Sequence, residues 1–75
     1  MSKLRRVPLH ATPETTLLAA VETREPDYVP AGVAVRMRIS PNIVTIHATL
    51  AALRALDDDD RVASVEIATA LRVYS

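Results

Sequence analysis

The chain contains no cysteine, phenylalanine or tryptophan, has one glycine, and shows no excess of either charge. Without cysteine there is no disulfide frame, no thiol chemistry and no zinc–thiolate site. Two tyrosines are its only aromatic residues, too few for the base-stacking platform of an RNA-binding sheet. Nine Lys and Arg balance nine Asp and Glu, giving a formal net charge of zero and none of the basic surplus that a nucleic-acid or membrane partner wants. No Gly-rich loop is available to cradle a phosphate. There is no Ser–His–acid arrangement with a supporting glycine turn, and no paired carboxylates outside one Asp run. His10 and His47 both fall on expected strands without metal-ligand companions. The expectation is a protein that is not an enzyme and uses no cofactor or metal. No stretch approaches a membrane span, and no apolar run of signal length follows the basic start Met1–Arg6, so a cytoplasmic location is the default.

Seventy-five residues make one domain, 1–75, able to bury ~60–65% of its unfolded surface. Leu4 to Ala11 reads as a short strand, in which Val7, Leu9 and Ala11 alternate with Pro8 and His10. Pro8 has no N–H for a ladder and calls for an edge or bulge. Thr12-Pro13-Glu14 has the chemistry of a helix start, with a capping hydroxyl, a proline at the first turn and an acid at the positive dipole end. Leu17, Leu18 and Val21 then form an apolar stripe, and Pro26 ends the helix at or before Glu25. Pro26 to Gly32 is a loop.

Val33, Val35, Met37 and Ile39 alternate with Ala34, Arg36, Arg38 and Ser40, and Ile43 to Ala48 follow a Pro41-Asn42 turn. A hairpin pairing Ile39 with Val44, Met37 with Ile46 and Val35 with Ala48 puts the apolar residues on one side. Asn42 is expected to be left-handed, in a slightly longer loop. Thr49 caps a second helix carrying Leu50, Leu53 and Leu56, which the carboxylates Asp57–Asp60 stop, because they oppose its dipole. That run reads as a solvated turn, since calcium loops interleave their ligands. Ala63, Val65 and Ile67 alternate with Ser64 and Glu66 as a last strand.

The order strand, helix, strand, strand, helix, strand folds most simply as a ferredoxin-like βαββαβ α+β domain. It has a four-stranded antiparallel sheet with two helices on one face. One core is expected to hold Leu17, Val21, Val35, Met37, Ile39, Val44, Ile46, Leu53, Leu56, Val65 and Ile67. The other sheet face is left open, with Glu66 on it. Residues 68–75 form an extended tail, apolar at Leu71, Val73 and Tyr74, which has the character of a peptide that lies in another protein's groove.

The segments Gly32-Val33-Ala34-Val35-Arg36, Ile43-Val44-Thr45, Leu50 to Leu56 and Asp60-Arg61-Val62-Ala63-Ser64-Val65-Glu66 together resemble the pro-region of subtilisin-like serine proteases, over roughly the last forty-five residues. The resemblance implies the same fold and a role as inhibitor, or folding helper, of such a protease. It implies that the open sheet face packs on two protease helices, with Glu66 capping one. Ala68 stands where the family commonly has a second acid. The tail would occupy the substrate cleft, with Leu71 and Tyr74 as anchors, Arg72 and Val73 pairing through the backbone, and Ser75 one residue beyond the cleavage position. A chain running from Met1 to Ser75 with no protease attached implies action in trans. The alternative is a small ferredoxin-like regulatory or oligomerisation module with no protease target, which self-associates through an edge strand or the open face.

Overall fold

The computed structural model describes residues 2–70, with side chains through Ala68. It shows one five-stranded mixed sheet and one short helix. The strands are β1 (Leu4–Arg5), β2 (Thr16–Thr23), β3 (Ala34–Ser40), β4 (Ile43–Thr49) and β5 (Val62–Ala70). The helix α1 (Leu50–Ala55) and a 3-10 turn (Leu56–Asp58) join β4 to β5. The sheet order is β1-β5-β2-β4-β3, antiparallel throughout except for the parallel β1–β5 pair. This overturns the ferredoxin-like βαββαβ expectation: the first helix does not exist, and the sheet has five strands.

The reason lies in β2. Its sequence Thr-Leu-Leu-Ala-Ala-Val-Glu-Thr carries two periods at once. Leu17, Leu18 and Val21 suit a helix, whereas Leu17, Ala19, Val21 and Thr23 recur every second residue. The second set is the buried one. β2 pairs with β4 on one side and β5 on the other, so a full ladder on both edges overrides a weak helical preference. Thr12 and Pro13 form a turn instead of a cap: the Thr15 N–H donates to Thr12 O at 3.0 Å, and the Thr12 N–H to Thr15 Oγ1 at 2.9 Å. The carbonyls of that turn then serve a helix elsewhere. Leu50 N–H donates to Thr15 O at 2.9 Å and Ala51 N–H to Pro13 O at 3.1 Å. With Ala52 N–H on the Thr49 hydroxyl at 3.2 Å, three N-terminal donors of α1 that have no partner within the helix are satisfied. Thr49 is thus the N-cap that its sequence position suggests.

The expected first strand, Leu4 to Ala11, shrinks to Leu4–Arg5, after which Arg6 turns left-handed at φ 66°. Val7 and Ala11 still pack on the core, while Leu9 and His10 are exposed. At the other end β5 continues through Ala70, whose partner is Leu17. The first residues read from sequence as a tail therefore belong to the sheet.

The β3–β4 hairpin also departs from its expected register. Val35 faces Ile46, but Met37 faces Thr45, Arg38 faces Val44 and Ser40 faces Ile43, with irregularities between Val35 and Met37 and between Arg38 and Ser40. A bulge inserts a residue and flips the phase of the residues beyond it. Met37 and Ile46 consequently lie on opposite faces, so the single core expected to include Met37 is wrong. Val35, Met37 and Ile39 are exposed. The turn is anchored from β2: Thr23 N–H donates to Asn42 O at 2.7 Å, and Asn42 Nδ2 to Thr23 O at 2.9 Å. Asn42 is not left-handed; that conformation falls on Arg6, Asp27 and Gly32.

The observed core joins Leu17, Ala19 and Val21 of β2, Val44, Ile46 and Ala48 of β4, and Val62, Val65 and Ile67 of β5 to Leu50, Leu53 and Leu56 above them. Leu53 is fully buried. Leu53→Ala is expected to cost ~2–5 kcal/mol in urea unfolding. Met37→Ala, on an exposed edge, is expected to stay within ~0.5 kcal/mol of the parent. Equal losses would put Met37 back in the core.

Candidate docking edge

A strand at the end of a sheet leaves its outer N–H and C=O groups unpaired. The sheet has two such ends, and they differ. At one end β1 is two residues long. At the other, β3 runs for seven residues with β4 on its inner side only. Edges of this length are usually blunted by charge, proline or a covering loop. β3 carries charge at Arg36 and Arg38 and two irregularities in its ladder, yet it still presents Val35, Met37 and Ile39 at 47%, 57% and 58% exposure, with Ile43 of β4 exposed beside the turn.

The strand is held in place despite its exposure. Thr45 Oγ1 donates to Met37 O at 3.1 Å. Arg38 folds back over the turn, its guanidinium donating to Pro41 O at 3.0 Å and to Ser40 O and Tyr28 O at 3.4 Å each. Arg36 is exposed. Among the described residues the ion pairs are Arg6–Glu66 at 3.4 Å and Arg61–Glu25 at 2.9 Å, so neither β3 arginine has a carboxylate partner there.

The sheet face away from α1 is the second surface. Leu18, Ala20, Thr45 and His47 lie half-buried on it, and His47 Nε2 is shielded without a hydrogen-bond partner. Glu66 is exposed on this face, opposite Ala20, with Arg6 as its ion-pair partner. Leu71, Arg72, Val73, Tyr74 and Ser75 lie outside the described residues. The structure therefore places one of the six residues singled out from sequence.

No family model, curated protein or solved structure matches this chain.

Beside the edge, a polar latch ties the 24–33 loop to the acidic turn. The Tyr28 hydroxyl donates to the Asp59 carboxylate, and Arg61 N–H donates to Asp59 Oδ1 at 2.9 Å. The Arg61 guanidinium sits 5.5 Å from the Tyr28 ring centre and pairs with Glu25. Asp57 accepts from Lys3 N–H at 2.6 Å and from the Ser2 hydroxyl at 3.1 Å. The acidic run read as a solvated turn is thus half structural: Asp57 and Asp59 are bonded, while Asp58 and Asp60 are exposed. Among the described residues no three His, Cys, Asp or Glu side chains are grouped to hold a metal ion, and no helix is long and apolar enough to cross a membrane.

From sequence, alternation puts Val35, Met37 and Ile39 on a buried face and Arg36 and Arg38 on the open one; the irregularities in the β3 ladder that undo this carry no mark in the sequence.

The latch has a pH signature. The hydrogen bond from Tyr28 holds the Asp59 carboxyl below its ordinary range, assisted by Arg61. A depressed folded value means that the unfolded state binds the proton more readily. The contribution is therefore complete above the unfolded carboxylate range near about 4 and is lost as pH falls through the lower folded value. The Tyr28 hydroxyl is pushed up by the same bond and stays protonated. Tyr28→Phe is expected to flatten the acid limb of a thermal-unfolding series between about pH 2 and 5. An acid limb unchanged in that variant would exclude the latch.

Proposed function

We propose that this chain is a non-catalytic protein-binding module whose contact element is the free edge of β3. The observation that carries the proposal is the exposure of Val35, Met37 and Ile39 along a seven-residue edge that has no neighbour on its outer side among the described residues. An extended segment added there satisfies the outer backbone groups and covers the apolar side chains in one step. Backbone bonds supply affinity and the alternating side chains supply selectivity. The rest of the molecule supports the role of a rigid platform: the hairpin is tied to β2 through Thr23 and Asn42, and α1 is capped from the 13–15 turn. A cytoplasmic setting belongs to the same proposal.

Selecting peptides from a displayed library against the immobilised chain, then mapping the winners by amide NMR, tests this reading. Shifts and new exchange protection concentrated on β3 are expected, with binding weakened at least severalfold in the Val35→Ala/Met37→Ala double variant. Winners that perturb β1, or α1 and the acidic turn, would contradict it.

A narrower reading is inhibition of a subtilisin-like serine protease in trans. The exposure of Glu66 on the uncovered sheet face favours it, because a carboxylate there, paired at 3.4 Å with the exposed Arg6, is within reach of a partner helix N-terminus, worth up to ~2 kcal/mol. Residual peptidase activity of such an enzyme mixed with the chain is the test. Inhibition that weakens with Glu66→Gln at low salt is expected under this reading; undiminished activity at saturating chain excludes it.

A further inference from the structure

The geometry points to an acidic, apolar-alternating peptide strand as the occupant of the β3 edge, in preference to a second copy of this chain. The inference rests on the strand-addition reading and adds to it the chemistry of the partner. Although the formal net charge of the chain is zero, its charges are unevenly placed. No Asp or Glu occurs between Asp27 and Asp57, and that stretch carries Arg36, Arg38 and Arg54. It comprises β3, β4 and α1. Two of these arginines stand on the edge strand itself, and β4 beside it contributes no carboxylate to offset them.

Their surroundings leave both charges available. Arg38 bonds to three main-chain carbonyls, which orient the guanidinium without neutralising it. Arg36 is exposed and makes no ion pair among the described residues. Asp27 approaches the hairpin turn, where its N–H donates to Pro41 O at 2.7 Å, yet its carboxylate pairs with neither arginine. The edge thus carries Val35, Met37 and Ile39 together with two positive charges, Val35 and Arg38 on the core side of the sheet and Met37 on the other.

Self-pairing conflicts with that pattern. Two β3 strands running antiparallel about Met37 set Arg36 of one copy against Arg38 of the other, twice. Shifting the register still leaves all four guanidinium groups along a seven-residue seam. Like charges on neighbouring strands repel, whereas opposite charges attract by a comparable amount. A strand alternating Val or Ile with Glu reverses each of these terms while preserving the apolar contacts.

The test uses the full chain and two synthetic heptapeptides, one alternating Val with Glu and one alternating Val with Lys, titrated by amide NMR at low salt and at about 1 M salt. The acidic peptide is expected to bind at β3 roughly tenfold more tightly than the basic one, through two cross-strand charge pairs. The difference should shrink at high salt, where screening reaches about 3 Å. Arg36→Glu, at an exposed site without structural bonds, should abolish the preference, because the new carboxylate offsets Arg38. Equal affinity of the two peptides at β3, or a β3-mediated dimer in sedimentation, overturns the acidic-partner inference and leaves strand addition standing. No binding of the acidic peptide, or binding that maps away from β3, overturns the inference, and the second of these removes the β3 reading as well.

Discussion

One short helix has to cover one face of a five-stranded sheet, and it is too small to do so. Six residues of α1 span ~9 Å at 1.5 Å per residue, with a girth of ~10 Å. Five strands at ~4.8 Å spacing are ~19 Å across. The helix therefore shields about half of that width. It sits over β4 and β5, with β2 between them, and these three strands supply the sheet's share of the buried core. β3 lies beyond its reach. The loop before β3 makes up part of the difference, with Pro30 buried and Tyr28 and Val33 packed on the core rim. Val35 is left uncovered on that face, and Met37 is exposed on the opposite one.

This shortage links local sequence to interaction. A longer helix would cover Val35 but not Met37, which lies on the opposite face, whereas a fully polar β3 would make an inert edge. The chain has no such helix, and its β3 mixes three apolar residues with Arg36 and Arg38. It invests its specific hydrogen bonds in fixing what surrounds the edge: Thr23 and Asn42 pin the turn, Arg38 caps it, and Tyr28, Asp59, Arg61 and Glu25 hold the preceding loop against the acidic turn. An edge held still in this way loses little conformational freedom when a strand is added, and preorganisation of that kind favours affinity.

The second half of the chain was the part legible in the sequence. Thr49 as a cap, Leu50, Leu53 and Leu56 as a buried stripe, and Val65 and Ile67 as inward residues of the last strand all follow from spacing alone. The crossover β4–α1–β5, with β2 between its two strands, keeps the strand–helix–strand logic expected there. β2 was not legible, because Leu17-Leu18-Ala19-Ala20-Val21 satisfies a period of 3.6 as well as a period of two, and only its neighbours on both sides decide between them. The bulges of β3 were hidden too, since alternation in sequence carries no mark of the residue at which a ladder skips. Glu66 reached the uncovered face by simple alternation, whereas the docking edge depended on a helix being absent where one was expected.

The central claim is that β3 is an open edge, and amide hydrogen exchange on the free chain tests it most directly. The account predicts strong protection for β2 and β4, which have a strand on both sides, and for the β5 amides that face β2, with alternate β3 amides, those turned away from β4, exchanging close to the unprotected rate. Uniform protection along β3, matching that of β4, would show that the edge is already covered, and would contradict the account.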